Sequence, residues 1–194
     1  MNKEEKLQEL FQTPRMGMHS LNDFNSVRGL HVLVENCFKP DFEMVEVGSF
    51  QGVSTQLFAL FTKTVYSVDC YDYKVPPTGR IPEHDQLFID AEKLFLERTS
   101  HIDNIVKIKK TSIEAAKDFE NNSLDAVYID AEHDYDSILS DVQTWKNKIK
   151  SGGVLCGHDW DHNHATDIQN ILEQENLLND LTVYPDSSWS VIIK

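Results

Sequence analysis

The chain has 194 residues, and its 18 Lys+Arg against 32 Asp+Glu give a formal net charge of −14. A chain of this length suits one domain that buries roughly 70% of its unfolded surface, so it needs no disulfide or metal staple. With 40% hydrophobic residues it is not a collagen-like, low-complexity or disordered sequence, and the acidic balance argues against a nucleic-acid backbone or an anionic membrane as partner.

The first forty residues are read as a helical segment with an amphipathic pattern, serving as a lid or as a contact in a homo-oligomer. From there two periods alternate. Phe42 to Val47 is a short apolar run ending at Gly48, which reads as a buried strand. Val53, Leu57, Leu60 and Phe61 are spaced for one helix face. Val65 to Val68 is a second strand, ending at Asp69. Residues 70–83 hold Pro76, Pro77, Gly79 and Pro82 and read as a long loop, a length often tied to function.

Leu87, Phe88, Ala91, Leu94 and Phe95 make the stripe of the next helix. Ile105 to Ile108 reads as a strand, Ser112 to Phe119 as a short helix, and Leu124 to Ile129 as a fourth strand. The following helix carries Ile138, Val142, Trp145 and Ile149 on one face, and Ser151-Gly152-Gly153 is expected to stop it. Val154-Leu155-Cys156 is the fifth strand, a helix follows around 164–177, and two strands close the chain near 181–184 and 189–193. Alternating strands and helices predict a parallel sheet covered on both faces. The four-residue link 185–188 is too short for a parallel crossover, so the last two strands should form an antiparallel hairpin.

Cys37, Cys70 and Cys156 include no CxxC pair, and a reduced, cytoplasmic protein is the simplest reading. The N-terminus leads into no apolar signal segment, and no stretch approaches the ~20 apolar residues of a membrane span.

In open parallel sheets, ligands bind outside the carboxyl ends of the strands. Those ends hold Glu46 to Gly52, Asp69, Thr111-Ser112, Asp130 to His133 and His158-Asp159. Gly48 and Gly52 permit a tight turn and close approach of a ligand to backbone. Asp69 can accept hydrogen bonds from both hydroxyls of a ribose. Gly48-Ser49-Phe50-Gln51-Gly52 lacks the GxGxxG spacing of a pyrophosphate site, and Glu46 adds a negative charge, so a cationic, phosphate-free nucleoside fits better.

Glu46-Val47-Gly48-Ser49-Phe50-Gln51-Gly52 resembles the E/D-x-G-x-G-x-G motif of class I S-adenosylmethionine-dependent methyltransferases. The stretch from Leu124 through Asp130, His133, Tyr135, Asp141, Trp145 and Ser151-Gly152-Gly153 to Gly157-His158-Asp159 resembles methyltransferase family 24, the branch holding macrocin-type O-methyltransferases. The resemblance covers roughly residues 42–160. It implies a Rossmann-like α/β fold: a doubly wound, seven-stranded, mostly parallel sheet of order 3-2-1-4-5-7-6 with strand 7 antiparallel. It places the S-adenosylmethionine-binding domain at 41–194, and it implies O-methylation of a small-molecule hydroxyl. Carried over residue by residue, Glu46, Gly48, Ser49 and Gly52 surround the methionine part of the cofactor, Asp69 binds ribose, Ser112 contacts adenine, and Asp130 faces the methyl-transfer site. Phe50 departs from the pattern, standing where many members have the middle glycine.

On the acceptor side the resemblance implies a metal set of Asp130, His158 and Asp159, with His133 as the general base beside Asp130. His158 replaces a carboxylate of the metal-using relatives, which shifts preference from Mg²⁺ toward Mn²⁺, Fe²⁺ or Zn²⁺. An alcohol is a poor nucleophile at neutral pH, and a positioned base adds about 10²–10⁴-fold. Two other readings stay open at this point: a metal-dependent small-molecule hydroxylase on the same fold, and a non-catalytic nucleoside-binding module. In the 159–164 run, Asp161 or Asn163 is expected to cap the next helix. Trp160, Tyr71, Tyr73, the proline-rich loop and Met16 to His19 are placed near the acceptor.

Overall fold

A computed structural model describes residues 2–14, 26–72, 89–161 and 163–194. The proline-rich loop from residue 73 onward, Leu87, Phe88, Tyr73 and Met16 to His19 lie outside the described residues.

The helices begin where short polar side chains satisfy their orphan N–H groups. Asn2 and Glu5 form a capping box on α1 (Lys3–Leu10), and Ser26 caps α2 (Val27–Cys37). Strand β1 (Glu43–Val47) runs into the turn that opens α3 (Val53–Ala59), and β2 (Thr64–Val68) follows. After α4 (Ala91–Thr99) and β3 (Ile105–Ile108), Thr111 and Glu114 box the start of α5 (Ser112–Ala115). Then come β4 (Leu124–Ile129), α6 (Tyr135–Trp145, capped by Asp134), β5 (Ile149–Gly157), α7 (Ala165–Gln174), β6 (Thr182–Val183) and β7 (Trp189–Ile192).

The strands form one seven-stranded sheet of order β3-β2-β1-β4-β5-β7-β6. All pairings from β3 to β5 are parallel, and β7 is antiparallel to both β5 and β6. This is the expected Rossmann-like order, terminal hairpin included. Period-2 alternation splits each strand between two cores. Met44, Val65, Ala126, Tyr128 and Cys156 face α1, α2 and α3, while Val45, Val47, Val127, Ile129 and Leu155 face α6 and α7. Leu7, Leu10, Phe11, Leu30, Leu33 and Val34 belong to the first of these cores, with α1 packed against α3 and α2 against α3 and β7.

The structure corrects two boundaries. The helix expected to include Ile149 ends at Trp145, tightens into a 3₁₀ turn over Lys146–Lys148, and gives way to β5 at Ile149. Ile149 is buried in the same core as Val142 and Trp145, so its helical spacing and its strand placement bury the same side chain. Ser151-Gly152-Gly153 consequently lies inside β5 rather than ending a helix. Leu124 pairs with Ile149 and Ala126 with Val154, so the extra β5 residues form a bulge, with Gly152 at φ +82°. The helix bearing Val53 and Leu57 likewise stops at Ala59, leaving Leu60 and Phe61 beyond it. Among the described residues, no helix is long and apolar enough to cross a membrane.

Leu33 is fully buried between α2 and the sheet. Leu33→Ala is expected to cost about 2–5 kcal/mol of unfolding free energy through the cavity it leaves. Chemical denaturation checks this, and a loss below about 1 kcal/mol would show that α2 contributes little to the core.

Candidate active site

Parallel pairing brings the strand ends into one row. Val47 is in register with Val68 and with Ile129, and Ile129 with Gly157. The residues just past these positions continue the ladder. Gly48 N–H donates to Val68 O at 2.9 Å, Asp130 N–H to Val47 O at 2.8 Å and His158 N–H to Ile129 O at 3.0 Å. Asp69, Gly48, Asp130 and His158 therefore stand side by side along the carboxyl edge. At Gly48 (φ +91°) a Cβ would lie 1.9 Å from Asp130 O, so only glycine lets β1 leave the sheet here.

The turn after β1 is held from below. Glu46 is fully buried and accepts from the hydroxyls of Ser54, Thr55 and Ser67. The single Ser67 hydroxyl hydrogen is shared between Glu46 and Ser49 Oγ, 2.7 Å away, and Ser49 donates to Val68 O at 3.2 Å. Glu46 and Ser49 thus pin the turn and the first turn of α3 to β1 and β2. Burial is the main force on the Glu46 carboxyl and pushes it up to about 7, with the Asp130 charge adding and the three hydroxyls opposing.

Gly52 (φ +75°) starts α3, with Phe95 and Thr99 of α4 close on its Cα. Phe50 adopts φ +45°, so the residue replacing the family's middle glycine takes a left-handed backbone conformation. Its N–H donates to Asp69 Oδ2 at 2.8 Å, and Tyr71 N–H donates to Asp69 Oδ1 at 2.8 Å. These two bonds orient the Asp69 carboxylate. Ser112 is the first residue of α5, just past the end of β3. Its hydroxyl donates to the buried Asp141 and accepts from Trp145 Nε1 at 2.8 Å, tying the β3 end to α6. Burial pushes the Asp141 carboxyl up to about 6, against that hydrogen bond.

Beyond Asp130 the acceptor-side residues converge. Asp130, His133 and Asp159 place one donor atom each within 4.8 Å of one another. His133 Nε2 is 3.3 Å from Asp159 Oδ2. His158 Nδ1 lies 3.1 Å from Asp159 Oδ1 and 3.9 Å from Asp130 Oδ1, while its Nε2 is 2.7 Å from Asp186 O. A carbonyl oxygen only accepts, so Nε2 carries a proton and Nδ1 faces the two carboxylates. Burial disfavours the Asp159 carboxylate, yet the His158 hydrogen bond and the nearby His158, His133 and His164 hold it below the ordinary aspartate range. Asp161 Oδ1 accepts from Asn163 and His164 N–H and so orders the turn ahead of α7, but the N-cap residue is His164, not Asp161 or Asn163, and its side chain makes no cap hydrogen bond.

Two contributors have no sequence signal. The Asp186 carbonyl that orients His158 comes from the β6–β7 turn, and Trp189 Nε1 donates to His158 O at 3.0 Å. His164 stacks edge-on against His133 at 5.7 Å, a contact made only by the fold.

This sheet order, with a glycine turn after the first strand and an acid after the second, defines the class I methyltransferase architecture. A family model described as a methyltransferase domain matches residues 45–160, and the chain belongs to that family. A SAM-dependent methyltransferase from Aquifex aeolicus superposes with TM-score 0.62 at 13% identity, covering 100% of both chains. The precorrin-6y C5,15-methyltransferase of Geobacter metallireducens GS-15 gives TM-score 0.64 at 12% identity, covering 93% of each chain. Aeropyrum pernix fibrillarin, with natively bound S-adenosyl-L-methionine, gives TM-score 0.55 at 12% identity, over 79% of this chain and 67% of that one. The uncharacterized protein y4gI of Sinorhizobium fredii is 26% identical over 124 residues, which is 60% of this chain and 13% of that protein's own length.

The Glu46 carboxyl binds its proton more tightly in the folded protein than in the unfolded chain. Its contribution to stability is complete below about pH 4.5 and is lost as the pH rises through about 7. Glu46→Gln stays neutral, so its stability relative to wild type should improve between about pH 5 and pH 8, by on the order of 3 kcal/mol. Thermal melts across that range read this, and a difference that does not vary with pH would contradict it.

Proposed function

We propose that the protein transfers a methyl group from S-adenosylmethionine to a hydroxyl of a small molecule. The observation carrying this reading is the row Asp69, Gly48, Asp130 at the carboxyl edge. A glycine turn flanked by two carboxylates suits a cationic nucleoside and repels phosphate. In this reading Asp69 takes the ribose hydroxyls, and the backbone from Gly48 to Gly52 lies against the methionine part. Glu46 and Ser49 position that backbone, and Ser112 braces the adenine end through Asp141 and Trp145. The cofactor supplies an electrophilic sulfonium methyl group.

Asp130 and His133 meet the acceptor. Placing the hydroxyl in line with the methyl supplies much of the rate in such displacements. His133 Nε2, 3.3 Å from Asp159 Oδ2, takes the hydroxyl proton. Asp130 orients the hydroxyl from the end of β4. Asp130, Glu132 and Asp159 crowd this cleft and the chain carries −14 overall, which favours a neutral or cationic acceptor over nucleic acid. A divalent cation is part of this reading as a second cofactor. Residues 1–40 act as a lid or as a contact in a homo-oligomer.

Calorimetric titration of S-adenosylmethionine and S-adenosylhomocysteine tests the first half. Asp69→Ala should weaken both at least tenfold. No binding, or an Asp69→Ala protein that matches wild type, would overturn the reading. With an acceptor found from a panel of hydroxylated metabolites, His133→Ala should lower kcat by about 10²–10⁴-fold at unchanged S-adenosylhomocysteine affinity.

A further inference from the structure

We propose that α1 is a pH-released strap: the neutral ring of His31, held between Phe11 and Phe61, keeps α1 seated on α2 and α3, and protonation of that ring frees it. The device lies in the N-terminal helices and stands independently of the methyl-transfer reading.

The first observation is a ring cluster where three elements meet. His31 lies on α2, Phe11 caps the end of α1, and Phe61 follows α3. The His31 ring meets Phe11 edge-on at 5.4 Å between centroids and Phe61 edge-on at 5.1 Å. Its Nε2 is buried and makes no hydrogen bond, with the Glu35 carboxylate 3.7 Å away. A neutral imidazole tolerates that apolar setting far better than a charged one does.

The second is the charge on either side. Lys3 Nζ lies 3.5 Å over the centre of the Phe61 ring, and the Arg28 guanidinium carbon 4.3 Å over that of Phe11. The order is therefore cation, ring, His31, ring, cation. Each phenyl ring already offers its electron-rich face to one cation, and a proton on His31 would set a third positive charge between those two. The charged groups facing His31 are Lys3 and Glu4 on α1 and Arg28 and Glu35 on α2, while α3 and the following Leu60 and Phe61 bring no charged side chain. Burial is the main force holding the His31 ring below the ordinary histidine value, with Glu35 opposing, Lys3 adding and Glu4 opposing.

The third is how little else holds α1. Its eight residues are too few for a stable isolated helix, so it depends on its seat. It packs against α3 with Leu7, Leu10 and Phe11 buried, and Phe11 is the residue that touches His31. A charge on the His31 ring therefore acts directly on the seat of the strap. A ring that binds its proton less readily in the seated state favours seating fully above its ordinary value of 6.5, and progressively less as the pH falls below it.

The test uses the full-length protein without ligand. Amide hydrogen exchange, corrected for its intrinsic rate, is followed from about pH 7.5 down to about pH 5, and the His31 ring is followed by its carbon-bound proton resonance. The expected result is a His31 midpoint below 6.5. Across that midpoint α1 should lose protection at least about fivefold, while the central strands β4 and β5 do not follow it. His31→Phe keeps a ring in place and should abolish the pH dependence of α1. Lys3→Gln should raise the midpoint and Glu35→Gln should lower it. Both positions are exposed and leave the core intact, so these two variants carry the test if His31→Phe fails to fold. A His31 midpoint at or above 6.5, α1 protection that does not follow it, the same pH dependence in His31→Phe, or midpoints unmoved by both charge substitutions would each overturn the proposal.

Discussion

The close passage of Gly48 over the carbonyl of Asp130 is the constraint on which the site depends. A Cβ at position 48 would fall 1.9 Å from that oxygen, so no other residue lets β1 turn out of the sheet there. Because β1 is hydrogen-bonded to both β2 and β4, this turn sets Asp69 on one side and Asp130 on the other. A shift of one position in any of these pairings would move the carboxylates to the opposite face of the sheet.

Beneath that turn lies a buried carboxyl group with three hydroxyl partners. Glu46 reads in the sequence as a charge near the ligand, but alternation along β1 places it on the α3 side of the sheet, with Met44 and opposite Val45 and Val47. There it binds the first turn of α3 and Ser67 of β2, making it a brace for the turn. The left-handed backbone at Phe50 fits the same picture. Phe50 N–H reaches Asp69, so the energetic cost of that conformation is offset within the turn.

The cluster of Asp130, His133, His158 and Asp159 is built by a different device. Asp130 and His133 come from the end of β4, and His158 and Asp159 from the end of β5, so their convergence follows from strand neighbours. Their orientation does not. It comes from the β6–β7 turn, whose Asp186 carbonyl takes one nitrogen of His158 and leaves the other facing both carboxylates. The short antiparallel edge of the sheet therefore works as the buttress of the site. His164, brought back by α7, closes the far side against the His133 ring.

Much of this was legible in the residues alone. Hydrophobic periods marked the strands and most helices, since local spacing reflects the face each element must bury. The glycine turn and the acids at the strand ends marked the carboxyl edge of the sheet. The Ile149 boundary was not legible, because its spacing after Val142 and Trp145 serves a helix face and a strand position in the same core equally well. Nor could spacing show that Ser112 is hydrogen-bonded to both Asp141 and Trp145. The sequence by itself determined the sheet class and the order of chemical groups along the carboxyl edge, because these depend on period and on residue type. Only the tertiary structure decided which nitrogen of His158 faces the carboxylates, that His133 stands beside Asp159, and that Glu46 lies beneath the turn. Those are contacts between segments far apart in the chain, and no local pattern encodes their directions.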